Sequence, residues 1–309
     1  MKNYVKRVLK SVLLPIFERV ERPVEVNRVL LAKLLINGFR TSNYTPARLS
    51  DVGFKVFSQW DEDGIIQYLL SKVPMENKVF VEFGVEDYRE SNTRFLLVND
   101  NWKGLIMDSN PDHIKRIRSR DLYSRHELLA VQAFITKDTI NPLFKSNGVS
   151  GDIGLLSIDV DGNDYWIWEA IDVVSPRIVI CEYNSLFGKK EAVTIPYDEK
   201  FDRTRAHHSN LYFGASLKAL CILAQRKGYV FVGSNMTGIN AFFVRRDVAG
   251  NLKEIDCEIG YVKSTIRESR DEAGRFTYVS GDDRVSVIAN LKVVDLVTKQ
   301  TKNVCDITM

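Results

Sequence analysis

Residues 155–164 read LLSIDVDGND, an apolar run that passes directly into Asp159, Asp161, Gly162, Asn163 and Asp164. A second run, RIVICEYN at 177–184, ends in Glu182 and Asn184. Short apolar runs bounded by turn residues read as buried strands. Lying side by side, these two would bring Asp159 or Asp161 close to Glu182 and Asn184. Two or three hard oxygen donors at one rim suit Mg²⁺ or another divalent cation that keeps several waters. The expected metal set is Asp161, Glu182 and Asn184. Tandem His207 and His208, in RTRAHHSNLYFG, could act at that rim as a general base near neutral pH or complete the metal shell. Asp161, His207 and His208 are therefore the candidate catalytic residues. The plainer alternatives are a DxDG turn that binds nothing and a surface loop in which Ser209 or Asn210 caps the following helix.

Strands must position these groups. From Lys78 onward the pattern alternates, with strands expected at Val79–Val85, Gly104–Asp108, Leu128–Phe134, Ile153–Asp159, Arg177–Tyr183, Tyr229–Gly233 and Ala241–Arg245. Helical segments are expected near Ser91–Asn99, Asp112–Arg118, Thr139–Phe144, Tyr165–Ile171 and Phe213–Lys227. Such alternation argues for an α/β, doubly wound sheet. The closing pair, YVFVGSNMTGINAFFVRR, reads as an edge hairpin that makes the sheet mixed. Ligands of such sheets bind beyond the C-terminal ends of the strands. The first strand ends at Glu82 and Gly84, where a glycine lets backbone approach a ligand. The second ends at Asp108, placed to accept hydrogen bonds from ribose hydroxyls. The third ends at Gln132, Ala133 and Phe134, which could flank a flat base. GxGxxG is absent, which disfavours a nicotinamide or flavin cofactor.

Taken in chain order, these strand ends resemble the cofactor half of class I S-adenosylmethionine-dependent methyltransferases, over roughly residues 55–247. SQWDEDGIIQYLL, starting at Ser58, resembles the Ser-Gln-x-x-Glu-Asp opening of FkbM-like sugar methyltransferases. The resemblance implies a Rossmann-like seven-stranded sheet whose last strand is antiparallel, with S-adenosylmethionine as cofactor. It implies Glu82 and Gly84 beside the methionine part and Asp108 on the ribose, with Gln132, Ala133 and Asp159 completing the cofactor set. The family's glycine-rich loop is reduced here to FGVED. The carboxylates on the fourth and fifth strands are similar in place to the ligands of metal-dependent O-methyltransferases. The expected reaction is O-methylation of a sugar hydroxyl on a surface polysaccharide or glycolipid. Arg203, Arg205, Lys189 and Lys190 fall in the insertion where such enzymes build the acceptor pocket, and would suit an anionic acceptor.

Two other readings use the same residues. Asp159-Val160-Asp161 is also the DxD of many metal-dependent glycosyltransferases, and a methyltransferase-like body could serve as a non-catalytic, membrane-associated protein. Nucleic acid is not an expected partner, since the body is not basic. Residues 1–40 hold nine Lys/Arg against three Glu, about +6, in a chain whose net charge is +3. Two amphipathic stripes lie there, Val5, Val8, Leu9, Val12, Leu13 and Ile16, then Val26, Val29, Leu30, Leu34 and Leu35, ending near Gly38. They read as helices that pack on the body, on a second copy, or peripherally on the inner face of an anionic membrane. No apolar run approaches the ~20 residues of a bilayer span, and Cys181, Cys221, Cys257 and Cys305 form no CxxC pair. A cytoplasmic protein with reduced thiols is expected. The domain plan is a helical extension at 1–50, a methyltransferase-like domain at 51–248 and a C-terminal lid or docking element at 249–309.

Overall fold

The computed structural model describes residues 23–41 and 44–308, so the Val5–Ile16 stripe lies outside the described residues. The chain forms two compact units, residues 1–45 and 46–309. In the first, residues 23–41 form helix α1. Gly38 does not stop it: Thr41 Oγ1 bonds the Asn37 carbonyl at 2.8 Å, one turn back at the helix end.

The second unit is built on a seven-stranded sheet. Its strands are β1 (Val79–Phe83), β2 (Lys103–Asp108), β3 (Leu128–Gln132), β4 (Gly151–Ile158), β5 (Val174–Glu182), β7 (Tyr229–Ser234) and β8 (Asn240–Arg245), and a further strand, β6 (Val193–Thr194), precedes β7 in another sheet. The spatial order is β3-β2-β1-β4-β5-β8-β7. β1 to β5 pair in parallel, and β8 runs antiparallel to both β5 and β7. This is the Rossmann-like mixed sheet with one reversed strand expected from the sequence. All seven strands fall within a few residues of their expected places. Helices α2 (Glu62–Lys72), α3 (Arg94–Asp100), α4 (Pro111–Arg118), α5 (Asp121–Arg125), α6 (Ile140–Ser146), α7 (Asp164–Ala170) and α9 (Leu217–Arg226) accompany it. The central strands are apolar on both faces because helices cover both faces. Phe80, Val81, Leu155, Leu156, Ile178, Val179 and Ile180 are all fully buried.

SQWDEDG forms the approach to α2, and its acids act as braces. Asp63 Oδ2 accepts from the backbone N–H groups of Val56, Phe57 and Ser58 at 2.7–2.8 Å. Buried Glu62 accepts from Asn235 and Asn240, at the turn of the β7–β8 hairpin, at 2.8 and 2.9 Å. Burial pushes Asp61 and Asp63 up to about 6. Gly64 has no room for a Cβ, which would lie 2.3 Å from the Val52 carbonyl oxygen.

Residues 249–309 lie in the same compact unit as the sheet. They carry α10 (Cys257–Gly260), α11 (Asp283–Val287), β9 (Lys292–Asp295) and β10 (Thr301–Asn303). β9 pairs antiparallel with both β10 and β6, so the tail completes a small sheet with the insertion after β5. All four cysteines are free thiols. No helix among the described residues is long and apolar enough to cross a membrane.

Candidate active site

A cavity of about 960 Å³ opens at the C-terminal ends of the parallel strands, lined by Gly84, Phe134, Asp159, Glu182 and Asn240 among others. Sheet register explains the place, since β1 pairs with β4 and β4 with β5. The loops leaving those three strands therefore meet at one rim.

The Asp-rich turn after β4 is shaped by its last aspartate. Fully buried Asp164 accepts from the Val160 and Gly162 N–H groups at 2.8 and 2.9 Å. Asp161 has a φ of 54°, a left-handed conformation that aspartate tolerates better than most residues. The turn thereby holds Asp159 and Asp161 toward Glu182, and one carboxylate oxygen of each of the three lies within 4.8 Å of the others. Glu182 is 7% exposed, and its Oε2 is buried without a hydrogen-bond partner. Burial and the neighbouring acids hold Asp159 and Glu182 well above the usual carboxylate range, with Arg203 opposing the rise. A buried, unpartnered carboxylate oxygen facing two further carboxylates is a donor set that fits a hard divalent cation.

Arg203, expected from the sequence as a cation for an anionic acceptor, stands at the start of α8 (Arg203–Ala206). Its Nη1 lies 2.8 Å from Asp161 Oδ1. Its Nε donates to the Asn210 carbonyl at 2.8 Å, and its guanidinium lies 3.7 Å from the Phe213 ring centroid. Burial lowers its pKa, but Glu182 and Asp161 together raise it above the ordinary value.

The other expected residues are placed as follows. Glu82 is consumed by the loop before α3: it accepts from Ser91 Oγ, from Asn92 N–H at 2.8 Å, and from both the N–H and hydroxyl of Thr93. Gly84 has a φ of 67°, and a Cβ there would sit 1.8 Å from the Asp159 carbonyl oxygen. Asp108 Oδ2 accepts from Glu86 N–H and Oδ1 from Asn110 N–H, both at 2.8 Å, with His113 Nδ1 at 3.2 Å. Of the third-strand residues Phe134 lines the cavity, whereas Gln132 and Ala133 do not.

Other placements differ from expectation. Asn184 does not face the metal set: its Nδ2 donates to the Leu211 and Phe213 carbonyls at 2.9 and 3.0 Å, and its Oδ1 accepts from Leu186 N–H at 3.0 Å. Asp159, expected on the cofactor side, takes the third corner. His207 and His208 lie outside the cavity lining. His207 Nδ1 meets Ser209 Oγ at 2.7 Å, and burial with the adjacent His208 lowers its pKa. Neither Ser209 nor Asn210 caps the long helix; Ser216 does, accepting from Ala219 N–H at 3.2 Å. Of the insertion's cations, Arg203, Arg205 and Lys200 line the cavity, and Lys189 and Lys190 do not.

No protein-family model and no curated protein matches the chain. Among solved structures it is similar to the N-terminal domain of EvdMO1 with S-adenosylhomocysteine bound, at 11% identity over 72% of this chain and 94% of that one, with a TM-score of 0.40. It is similar to the fibrillarin pre-rRNA processing protein of Methanococcus jannaschii, at 10% identity over 66% and 87%, with a TM-score of 0.38. It is also similar to an O-methyltransferase from Bacillus cereus in complex with S-adenosylhomocysteine, at 12% identity over 78% and 95%, with a TM-score of 0.34. Similarity at this level carries no argument about ligand or reaction.

Proposed function

We propose that this chain is an FkbM-like methyltransferase that moves the methyl group of S-adenosylmethionine to a sugar hydroxyl, with a divalent cation held by Asp159, Asp161 and Glu182. The observation that carries the reading is the convergence of those three carboxylates, with Glu182 Oε2 unpartnered, in the cavity bounded by the Gly84 turn. Asp108 lies outside the cavity lining, and the loop it fixes through Glu86 N–H, where Glu86 and Ser109 line the cavity, would hold the cofactor's ribose side, with Phe134 covering its base. S-Adenosylmethionine, when bound, would supply an electrophilic methyl on its sulfonium; the acceptor hydroxyl would give its proton to solvent water and its oxygen would take the methyl, with S-adenosylhomocysteine leaving with the carbon–sulfur electron pair. A divalent cation supplies Lewis acidity that lowers the pKa of a hydroxyl it holds. Within the chain, the three carboxylates orient the acceptor and Arg203 balances their charge. The loops around the cavity would fix the line of attack, which contributes rate through proximity.

The acceptor would lie on the side of the insertion; the support is that Lys200, Arg203 and Arg205 line the cavity there and suit a negatively charged sugar or glycolipid head group. A DxD glycosyltransferase reading leaves the Gly84 turn and Asp108 without a role. The test is calorimetric titration with S-adenosylhomocysteine, in Mg²⁺ and again in EDTA, on the parent and on Asp108→Ala. Saturable binding lost in Asp108→Ala supports the reading. No binding by the parent in either buffer would overturn it.

A further inference from the structure

Helix α1 is apolar on two opposite sides. At 100° per residue, Ala32 and Ile36 define one side, and both are almost fully buried. Leu30, Leu31, Leu34 and Leu35 define the other, where they are 54%, 62%, 68% and 48% exposed. Soluble helices normally turn one apolar stripe inward and a polar face outward. Here four leucines face outward together, continued toward the N-terminus by exposed Val24. The helix's cations, Arg28, Lys33 and Arg40, lie along the flanks between the two apolar sides. Its single acid, Glu25, is on the covered side.

We propose that the outward leucine face of α1 docks onto an anionic lipid surface, with its leucines at the headgroup–acyl boundary and Arg28, Lys33 and Arg40 among the headgroups. An interfacial helix needs a leucine-rich face bordered by cations whose stems reach back to water. Charge decides between a membrane and a second copy of the chain. A symmetric pair would set two such faces against each other, each bordered by Arg28, Lys33 and Arg40 and with no acid of residues 23–41 on the outward side. Like charge opposes that pairing, whereas anionic headgroups complement it. A nucleic acid would engage the cations and leave the leucines without a role. The inference does not rest on methyl transfer, and its test uses no activity.

The full chain is sedimented with phosphatidylcholine vesicles and with vesicles containing phosphatidylglycerol, at low and high salt. Binding is expected to the anionic vesicles, weakened by salt. The double substitution Leu31→Glu with Leu34→Glu is expected to lower the bound fraction about tenfold or more while the urea unfolding midpoint of the main unit stays unchanged. Arg28→Gln with Lys33→Gln should retain weak binding and lose the preference for anionic lipid. No sedimentation of the parent, or equal sedimentation of the Leu31→Glu/Leu34→Glu chain, overturns the proposal. So does a parent that runs as a dimer in gel filtration and becomes monomeric on the leucine substitutions.

Discussion

Arg203 Nη1 sits 2.8 Å from Asp161 Oδ1 with its guanidinium packed on Phe213, which gives the carboxylate trio a cation of its own. Arg203→Met removes that charge. Repulsion among Asp159, Asp161 and Glu182 then favours an added ion, and Mn²⁺ affinity measured by calorimetry is expected to rise about tenfold. An unchanged affinity would mean that guanidinium and metal do not share the trio.

Glu182→Gln and Asp161→Asn remove ligands without touching the Gly84 or Asp108 turns. Each is expected to lower single-turnover methyl transfer by about 100-fold or more while leaving S-adenosylhomocysteine affinity within roughly twofold. Intact transfer in both variants would sink the metal role. Lost cofactor binding would place the trio on the cofactor side instead.

The pH dependence of cation binding follows from Asp159 and Glu182, whose pKa values burial raises in the folded chain. Raised pKa values keep these groups protonated to higher pH, and a protonated carboxyl is a poor ligand. Mn²⁺ binding is expected to strengthen as pH rises through those folded values and to fall away on the acid side. Titrations in mildly acidic and mildly alkaline buffers give the slope, and the opposite slope contradicts the assignment.

Stability runs the other way. Asp61 and Asp63 titrate at about 6 in the folded protein against 3.8 for the ordinary carboxyl, so folding takes up protons between those values. Their contribution is full below the unfolded pKa and is lost as pH rises through the folded one, so the urea midpoint should be higher near about pH 5 than near about pH 8. Asp63→Asn keeps an acceptor for the three N–H donors and should shrink the difference between the two buffers.

Gly84→Ala forces a Cβ to within 1.8 Å of the Asp159 carbonyl oxygen in a left-handed conformation. The β1 and β4 turns cannot both stay in place, and a loss of about 3 kcal/mol is expected in chemical denaturation. Wild-type stability would show that the turns can part freely.

The large sheet was legible because its strands are short apolar runs, several of them closed by Gly, Asp or Asn, a local signal that survives without tertiary context. β6, β9 and β10 were not, since strands of two to four residues take their pairing from distant partners. The carboxylates at Asp159, Asp161 and Glu182 were legible from strand-end position. Asn184 was misplaced because a donor–acceptor side chain is as useful for tying loops as for holding ions. Arg203 had a visible signal, a cation in the right insertion, but its pairing with Asp161 spans forty-two positions of chain. The histidines stood out by residue type, yet type carries no direction.

The β6–β9 pairing has a consequence for the order in which the protein is made. Strands β1 to β4, which shape the proposed cofactor side, are complete once Ile158 has been synthesised. Thr194 finds its partner Val294 only when a further hundred residues have left the ribosome. Domains fold as units, and residues 46–309 form one compact unit, so the small sheet can close only after every strand of the large sheet has been made. A chain cut short before Lys292 would lack both β9 and β10 and leave β6 without its sheet partner.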